Sequence, residues 1–314
     1  MNNKLPLKLI ILNDWSFITA TGVDAKKYLQ GQLTADIFEL SSHQHVFTAH
    51  CDATGKMWST LRLFHYKDGF AYILRTSMAE KQLNELKKYA IFSQITLKIV
   101  NNVVLLGVSG KSSCDVLKKY FCKLPDKEKS VIHLGQSTLL YLSLPSERFL
   151  IITDNTTSTE LKKYFIHHID SQEWLALDIA SGFANIDIEN SLRFIPQSVN
   201  LQSLSGSISF QKGCYIGQEI IARAKYRGVN KNTIFWLIGS GNSIPKIGEP
   251  IEWKNGDNWR STGTILSAVK LTDKTISLQV VMRNDMIKKS LFRLSGEDES
   301  KLTIKSFPNL LVNK

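Results

Sequence analysis

Cysteine is scarce in this chain. Cys51, Cys114, Cys122 and Cys214 are the four among 314 residues, and no two form a C-x-x-C pair. That excludes a disulfide framework and the common zinc-ribbon spacings. The adjacent His167 and His168 are the closest histidine pair, and neighbours on a helix point to different faces, so no metal site is expected. Seven prolines and 18 glycines are too few for a collagen-like or low-complexity chain. No apolar run approaches the ~20 residues that cross a bilayer, so no membrane partner is expected. The apolar stretch at residues 5–12 is broken by Lys8 and followed by Asn13, Asp14 and Trp15 rather than a small-residue cleavage site. It reads as a first strand and not as a secretory leader, so a cytoplasmic protein is expected. What is abundant is positive charge: 39 Lys and Arg face 28 Asp and Glu, a net +11. A chain of this length exceeds what one core usually supports, so two or three domains are expected.

The hydrophobic pattern gives an α+β fold. Residues 15–20 read as a strand and 24–33 as a helix N-capped by Asp24. Strands follow near 45–51, 57–65 and 70–75. Ser77 and Glu80 have capping-box spacing, and Leu83, Leu86 and Ala90 share one face of the helix that follows. Strands near 95–100 and 103–108 come next. A second round has a helix at 111–121, strands at 138–144 and 148–153, and a helix at 157–169. Counted from the strand at 103–108, the order is β-α-β-β-α, that of a ferredoxin-like split module. The first hundred residues carry a looser version. Cys114 and Cys122 read as core fillers around the 111–121 helix. From about residue 233 the character changes to short strands at 234–239, 251–253, 259–268 and 275–282, separated by Gly, Pro, Asn and Asp. These predict a C-terminal β-barrel or sandwich.

Gly110-Lys111-Ser112 after a strand imitates a phosphate loop, and Phe149 to Asp154 imitates its metal-binding strand. The full loop needs a glycine where Leu105 stands, so a strand–turn–helix is preferred. The informative stretch is residues 211–219, QKGCYIGQE. Gly213 and Gly217 bracket Cys214 in a tight loop that follows a possible strand at 208–210 and precedes a helix at 218–225. A thiol near a helix N-terminus and two residues from Lys212 should be acidified. Cys214 is therefore either a reactive or ligand-contacting thiol or a buried cysteine in a turn. Residues 212–231 are basic: Lys212, Arg223, Lys225, Arg227 and Lys231 face Glu219 alone, a local charge of +4. Such a patch attracts phosphates or a carboxylate tail, with Tyr215 and Tyr226 placed to stack on a flat ring; the plain alternative is a solvated helix face.

The 211–219 stretch resembles the signature K-G-C-[FY]-x-G-Q-E, matched at Lys212, Gly213, Cys214, Tyr215, Gly217, Gln218 and Glu219. The resemblance continues through residues 194–204, 222–231, 31–36 and 49–59 and covers nearly the whole chain. It is to the YgfZ family, folate-binding tRNA-modifying proteins related to the glycine-cleavage aminomethyltransferases and to a mitochondrial iron–sulfur assembly factor. The resemblance implies ferredoxin-like modules around a central folate cavity and a C-terminal β-barrel. The corresponding domains are residues 1–45 with 101–200, residues 46–100 with 201–232 (holding the signature), and residues 233–314. It implies tetrahydrofolate or a one-carbon derivative as cofactor. It further implies iron–sulfur enzymes as partners, among them a tRNA methylthiotransferase, and a link to the control of replication initiation. Weak tRNA contact is a separate expectation, from the basic face of residues 212–231.

By the same resemblance the folate-contacting tryptophans are Trp15 and Trp174, whose flat faces suit a pterin. Arg223 and Arg227 are candidates for the acidic tail. One departure stands out. Related transferases carry a glutamate shortly before the glycine that matches Gly182, and here those positions are Ala180 and Ser181. The expected protein is thus a folate-binding accessory factor for tRNA methylthiolation and iron–sulfur enzymes rather than an enzyme. A folate-dependent aminomethyl or methyl transferase is the rival reading.

Overall fold

The computed structural model describes residues 6–271, 275–286 and 291–308. The chain forms two units: residues 1–30, 37–46 and 61–174, and residues 31–36, 47–60 and 175–314. The first strands are β1 (Lys8–Ile11), β2 (Trp15–Thr21), β3 (His45–Cys51), β4 (Met57–Tyr66), β5 (Gly69–Arg75) and β6 (Thr96–Ile99). Then come β7 (Val104–Ser109), β8 (Val131–Leu134), β9 (Ser137–Leu142), β10 (Arg148–Thr153) and β11 (His168–Ile169). Helices α1 (Ala25–Gln32), α2 (Thr76–Lys88), α3 (Ser113–Lys118) and α4 (Asn155–Lys162) lie between them. The strands make two sheets, ordered β11-β1-β7-β10-β9-β8 and β3-β4-β5-β2-β6.

Strict alternation builds the core of the six-stranded sheet. Leu9, Leu106, Val108, Leu139, Tyr141, Phe149 and Ile151 point to one face, where Leu117 of α3, Phe121 just after it and Leu161 of α4 cover them. The opposite face is shaped by Gly107, which lies against the ring of Trp174: a Cβ there would stand 2.4 Å from the indole. Asp154, the mimic of a metal-binding residue, N-caps α4 by accepting from the amide of Thr157 at 2.8 Å.

Several elements depart from the sequence reading. The fourth helix stops at Lys162 instead of running to residue 169, because His168 and Ile169 pair in parallel with Leu9 and Ile10 at the sheet edge. β8 was hidden, since its four residues are joined to β9 by the tight turn at Gly135. The capping box is not used as such: α2 starts at Thr76 with Arg75 at its N-cap, which puts Ser77 inside the first turn. Cys122 is exposed and Cys114 only half-buried, so the true core cysteine is Cys51. Asp24 precedes α1, and its carboxylate accepts from the amide of Gln94.

The second unit holds α5 from Leu175 onward (Ser171–Ser181), α6 (Gln218–Tyr226) and a third sheet. Its strands are β12 (Asn232–Ser240), β13 (Ile251–Asn255), β14 (Asn258–Thr262), β15 (Thr264–Lys270), β16 (Thr275–Arg283), β17 (Phe292–Leu294) and β18 (Lys301–Lys305). The order is β14-β13-β17-β18-β12-β16-β15, around a core of Leu237, Ile251, Leu278, Val280, Phe292 and Leu302. The sheet is not closed by a ladder. Its two edge strands, β14 and β15, are instead consecutive in the chain and meet at Gly263, so the sheet curls until its edges join through one residue. The single strand expected at 259–268 is therefore two. Gly263 has φ +59°, and a Cβ would stand 2.4 Å from Met282. β17 and β18 escaped the sequence reading because they are short and flanked by polar turns.

His50, in β3, is 1% exposed, and burial pushes its imidazole down to about 3. A histidine buried neutral stabilises above its unfolded value near 6.5 and loses that contribution as pH falls toward 3. Stability measured by urea unfolding is expected to fall between pH 6.5 and 5, above the carboxylate range. His50→Gln should flatten that slope by up to about 1.4 kcal/mol per pH unit. An unchanged slope would show that His50 does not carry the pH dependence.

Candidate functional site

The signature segments converge within the second unit. Lys212, 8% exposed, reaches inward and donates from Nζ to the carbonyls of Leu33 and Ala35, each at 2.7 Å. Its ammonium stands 4.7 Å from the ring centre of Tyr215. The backbone ties run alongside: Ser209 to Thr34 at 2.8 Å and Ile216 to Gly31 at 3.1 Å. Residues 208–210 are accordingly irregular rather than a strand, because their hydrogen bonding is spent on the 31–36 segment. Met57 and Phe194 join at 2.8 Å, and the Gln197 side-chain amide donates to Ile221 at 2.7 Å. Residues 31–36, 49–59, 194–204 and 211–226 thus form one knot.

Burial pushes the Lys212 amine down to about 8, with Asp36 pulling the other way. The unfolded chain binds that proton more tightly, so between about 8 and the ordinary lysine value rising pH relieves a cost of folding. The neutral amine still has two hydrogens for the two carbonyls, so the clamp survives the titration.

The loop alternates. Lys212 and Tyr215 point in, whereas Gly213 and Cys214 point out and Cys214 is exposed. Tyr215 hides its hydroxyl without a hydrogen-bond partner, and burial together with nearby Cys51 pushes its pKa well above the ordinary phenol value. The two glycines differ. Gly213 has open space around it, so its freedom is not required sterically. Gly217 has φ +83° as the N-cap of α6, and a Cβ would meet the Asp52 carbonyl at 2.5 Å and Gly55 at 2.9 Å. Gly55, at φ +74°, packs back against Ile220. Backbone against backbone is what sets the start of α6 and hence the aim of Cys214.

The basic stretch is smaller than the sequence implied, because Lys212 is spent inside. On α6, Glu219 and Arg223 form an exposed i, i+4 ion pair at 2.5 Å. Lys225 sits 3.8 Å from the ring centre of Phe210 and also over Tyr226. Tyr226 and Arg227 are exposed, and the Gln218 side chain reaches back toward the Lys212 carbonyl at 3.5 Å. Of the two tyrosines expected to stack on a ring, only Tyr226 is on the surface.

Trp15 and Trp174 both belong to the first unit, and both carry an arginine on the indole face. The Arg75 guanidinium lies 4.5 Å from Trp15, its cross-strand neighbour, and its Nη1 is 3.8 Å from the Asp14 carboxylate, which also accepts from the Ser171 hydroxyl. Arg148 lies 4.2 Å from Trp174 and donates to the Leu144 carbonyl at 2.9 Å. Trp174 is 2% exposed, fixed between Gly107 and Arg148. Trp15 lines a cavity of about 250 Å³ with Leu12, Asn13, Val100, Asn101 and Leu105; Trp174 is not in that lining. Arg75, Arg148, Asn13 and Asn101 escaped the sequence reading: strand register sets Arg75 on Trp15, packing of a helix on a sheet sets Trp174 under Arg148, and Asn13 and Asn101 join Trp15 in one cavity lining. Before Gly182, Ser181 is sealed and its hydroxyl donates to the Leu177 carbonyl, so no carboxylate stands at those two positions.

By shape the chain has an aminomethyltransferase-like fold. It superposes on the glycine cleavage system aminomethyltransferase T from Bartonella henselae with a TM-score of 0.74, over 96% of this chain and 86% of that one, at 13% identity. That likeness is one of fold. Residues 230–298 match the model of the YgfZ β-barrel domain. Tighter relatives are named tRNA-modifying protein YgfZ. The one from Photorhabdus laumondii subsp. laumondii is 53% identical over 98% of this chain and 94% of its own length. The one from Yersinia enterocolitica serotype O:8 is 50% identical over 99% and 95%. The chain belongs to the YgfZ family.

Two substitutions separate scaffold from surface. Gly217→Ala is expected to destabilise by about 1–3 kcal/mol through strain at its left-handed φ, whereas Gly213→Ala should be near neutral. Lys212→Met should cost about 1–3 kcal/mol for each carbonyl left bare. Urea midpoints measured at one pH check all three, and a neutral Lys212→Met would mean that the clamp holds nothing.

Proposed function

We propose that this chain is a folate-binding accessory protein of tRNA modification, acting with iron–sulfur enzymes such as a tRNA methylthiotransferase. The tRNA part rests on relatives of that name at 50–53% identity across almost the full chain. The folate part rests on the aminomethyltransferase-like fold and above all on the Trp15 cavity. At about 250 Å³ this hollow is smaller than the ~300–1,000 Å³ of whole-ligand sites, and suits one bicyclic ring with its tail outside. One wall is an indole and the Asn13 and Asn101 amides lie in the lining, a donor set that fits a pterin edge. Arg75 behind Trp15 holds the indole plane, whereas Trp174 under Arg148 packs on the other, six-stranded sheet. When bound, a reduced folate would supply a one-carbon unit or a reduced ring. Trp15 would orient the ring and exclude water from one of its faces.

Cys214 acts at the surface. It is exposed in a loop where Lys212 and Tyr215 are locked inward, so its thiol meets a partner at a fixed place. The solvent-facing cations at the end of α6, Lys225 and the C-cap residue Arg227, offer the phosphate contacts for weak tRNA binding. The lack of a carboxylate at positions 180 and 181 supports an accessory role over one-carbon transfer.

Tetrahydrofolate titrated against wild type and Trp15→Ala should show at least a tenfold loss of affinity, with Trp15→Phe between them. Equal affinities would remove the cavity from the proposal. Cys214→Ser should keep stability within about 0.5 kcal/mol and abolish tRNA methylthiolation in cells, scored by mass spectrometry of tRNA nucleosides. Full methylthiolation in that variant would remove the thiol.

A further inference from the structure

The first unit has a second hollow, of about 380 Å³, that no part of the proposed function uses. It opens between two hairpin tips, the β4–β5 turn at Lys67 and the β8–β9 turn at Gly135, with the 42–43 loop beside them. That loop is tied to β8 by the Val131 amide, which donates to the His43 carbonyl at 2.9 Å. The lining is unusual in its charge. His43, His65, His133 and Lys67 contribute to it, with Ser42, Tyr66, Gln136, Ser137 and Thr138; the Ser137 hydroxyl is spent on Thr153 at 2.7 Å, and among the described residues no carboxylate joins the lining. Asp68 follows Lys67 in the turn and is not part of the lining.

The imidazoles are oriented. His65 Nε2 lies 2.9 Å from the Leu40 carbonyl, so that nitrogen carries the hydrogen and Nδ1 is left for another group. His133 bonds the Thr138 hydroxyl through Nδ1 at 3.0 Å and also bonds the His65 backbone. Its ring is edge-on to Tyr66 at 6.2 Å, and Tyr66 is braced in turn by Phe17 at 5.2 Å. Lys67 holds φ +49° and keeps its ammonium 5.4 Å from the Tyr66 ring centre.

We infer that this hollow is a binding site for a phosphate monoester carried on a flat organic group, taken up together with protons on its histidines. Cationic and neutral donors gathered without a carboxylate favour an oxyanion. The volume is more than a bare oxyanion fills and lies within the range of small-ligand sites, and the Tyr66 ring offers a wall for a planar group. Burial, followed by the charges of His43 and His65, holds His133 below the usual imidazole range. A bound anion would offset that mutual repulsion, so binding must draw protons in and strengthen as pH falls.

Sulfate is the first probe, because its charge is constant from pH 5 to 8. Calorimetry should find it bound at least tenfold more tightly at pH 5.5 than at pH 8.0, with net proton uptake seen in buffers of different ionisation enthalpy. His133→Gln should lessen the pH dependence. Lys67→Asn, which tolerates the left-handed turn, should weaken binding about tenfold at both pH values. Imidazole NMR signals of His43 and His65 would show whether either variant disturbs the fold. The source is then separated at pH 6.5 with AMP and with a short RNA bearing either a 5′-phosphate or a 5′-hydroxyl. AMP binding as tightly as the phosphorylated RNA identifies a free nucleotide; a tenfold preference for the phosphorylated RNA identifies an RNA end. Sulfate bound equally at both pH values, equally by the variants, or not at all overturns the inference. None of these readouts depends on Trp15 or Cys214, so the folate reading stands or falls separately.

Discussion

The contact on which the second unit depends is a lysine turned inward. Lys212 places its ammonium on two carbonyls of the 31–36 segment, 179 and 177 residues away in the chain. An ammonium is costly to bury, and the lowered value of its amine records that cost. The return is geometric. With its side chain anchored, the loop cannot slide, Gly217 meets Gly55 at backbone distance, and α6 must start where it does. Cys214 inherits a fixed outward direction from Lys212 and Tyr215, which face the other way. A flexible loop would present the same thiol with a large ordering cost at each encounter.

A similar logic holds around the tryptophans. Each indole is backed by a guanidinium, and in each case the arginine is held by something else: Arg75 beside the Asp14 carboxylate, Arg148 on the Leu144 carbonyl. Trp174 also needs Gly107, since any side chain there would occupy the ring's own volume. The two rings therefore differ in what they can do. Trp15 borders a hollow, whereas Trp174 is part of the packing that keeps the sheet in place.

The C-terminal sheet shows how a barrel-like form can arise without a closed ladder. Its edges are covalently adjacent at Gly263, where a positive φ and the closeness of Met282 exclude a side chain. Joining the edges through the chain shields one end of each edge strand from outside pairing, which is the general hazard of open sheets. Among the described residues no helix is long and apolar enough to cross a membrane.

The chain's local pattern was enough to determine the α+β class, most strands to within two residues and the helix after Gly217. These are properties of neighbours in sequence: period, turn residues and a dense motif. What tertiary structure alone decided is the direction of each side chain. Lys212 resembled a surface cation until two distant carbonyls claimed it, and Cys122 resembled a core residue until its short helix left it outside. The parallel pairing of His168 and Ile169 overrode a helical continuation, and strand register set Arg75 on Trp15. The histidine hollow draws on residues more than 90 positions apart, and no local signal joins His43 to His133. Spacing along the chain constrains backbone conformation, while burial and charge depend on which distant atoms the fold brings within a few ångströms.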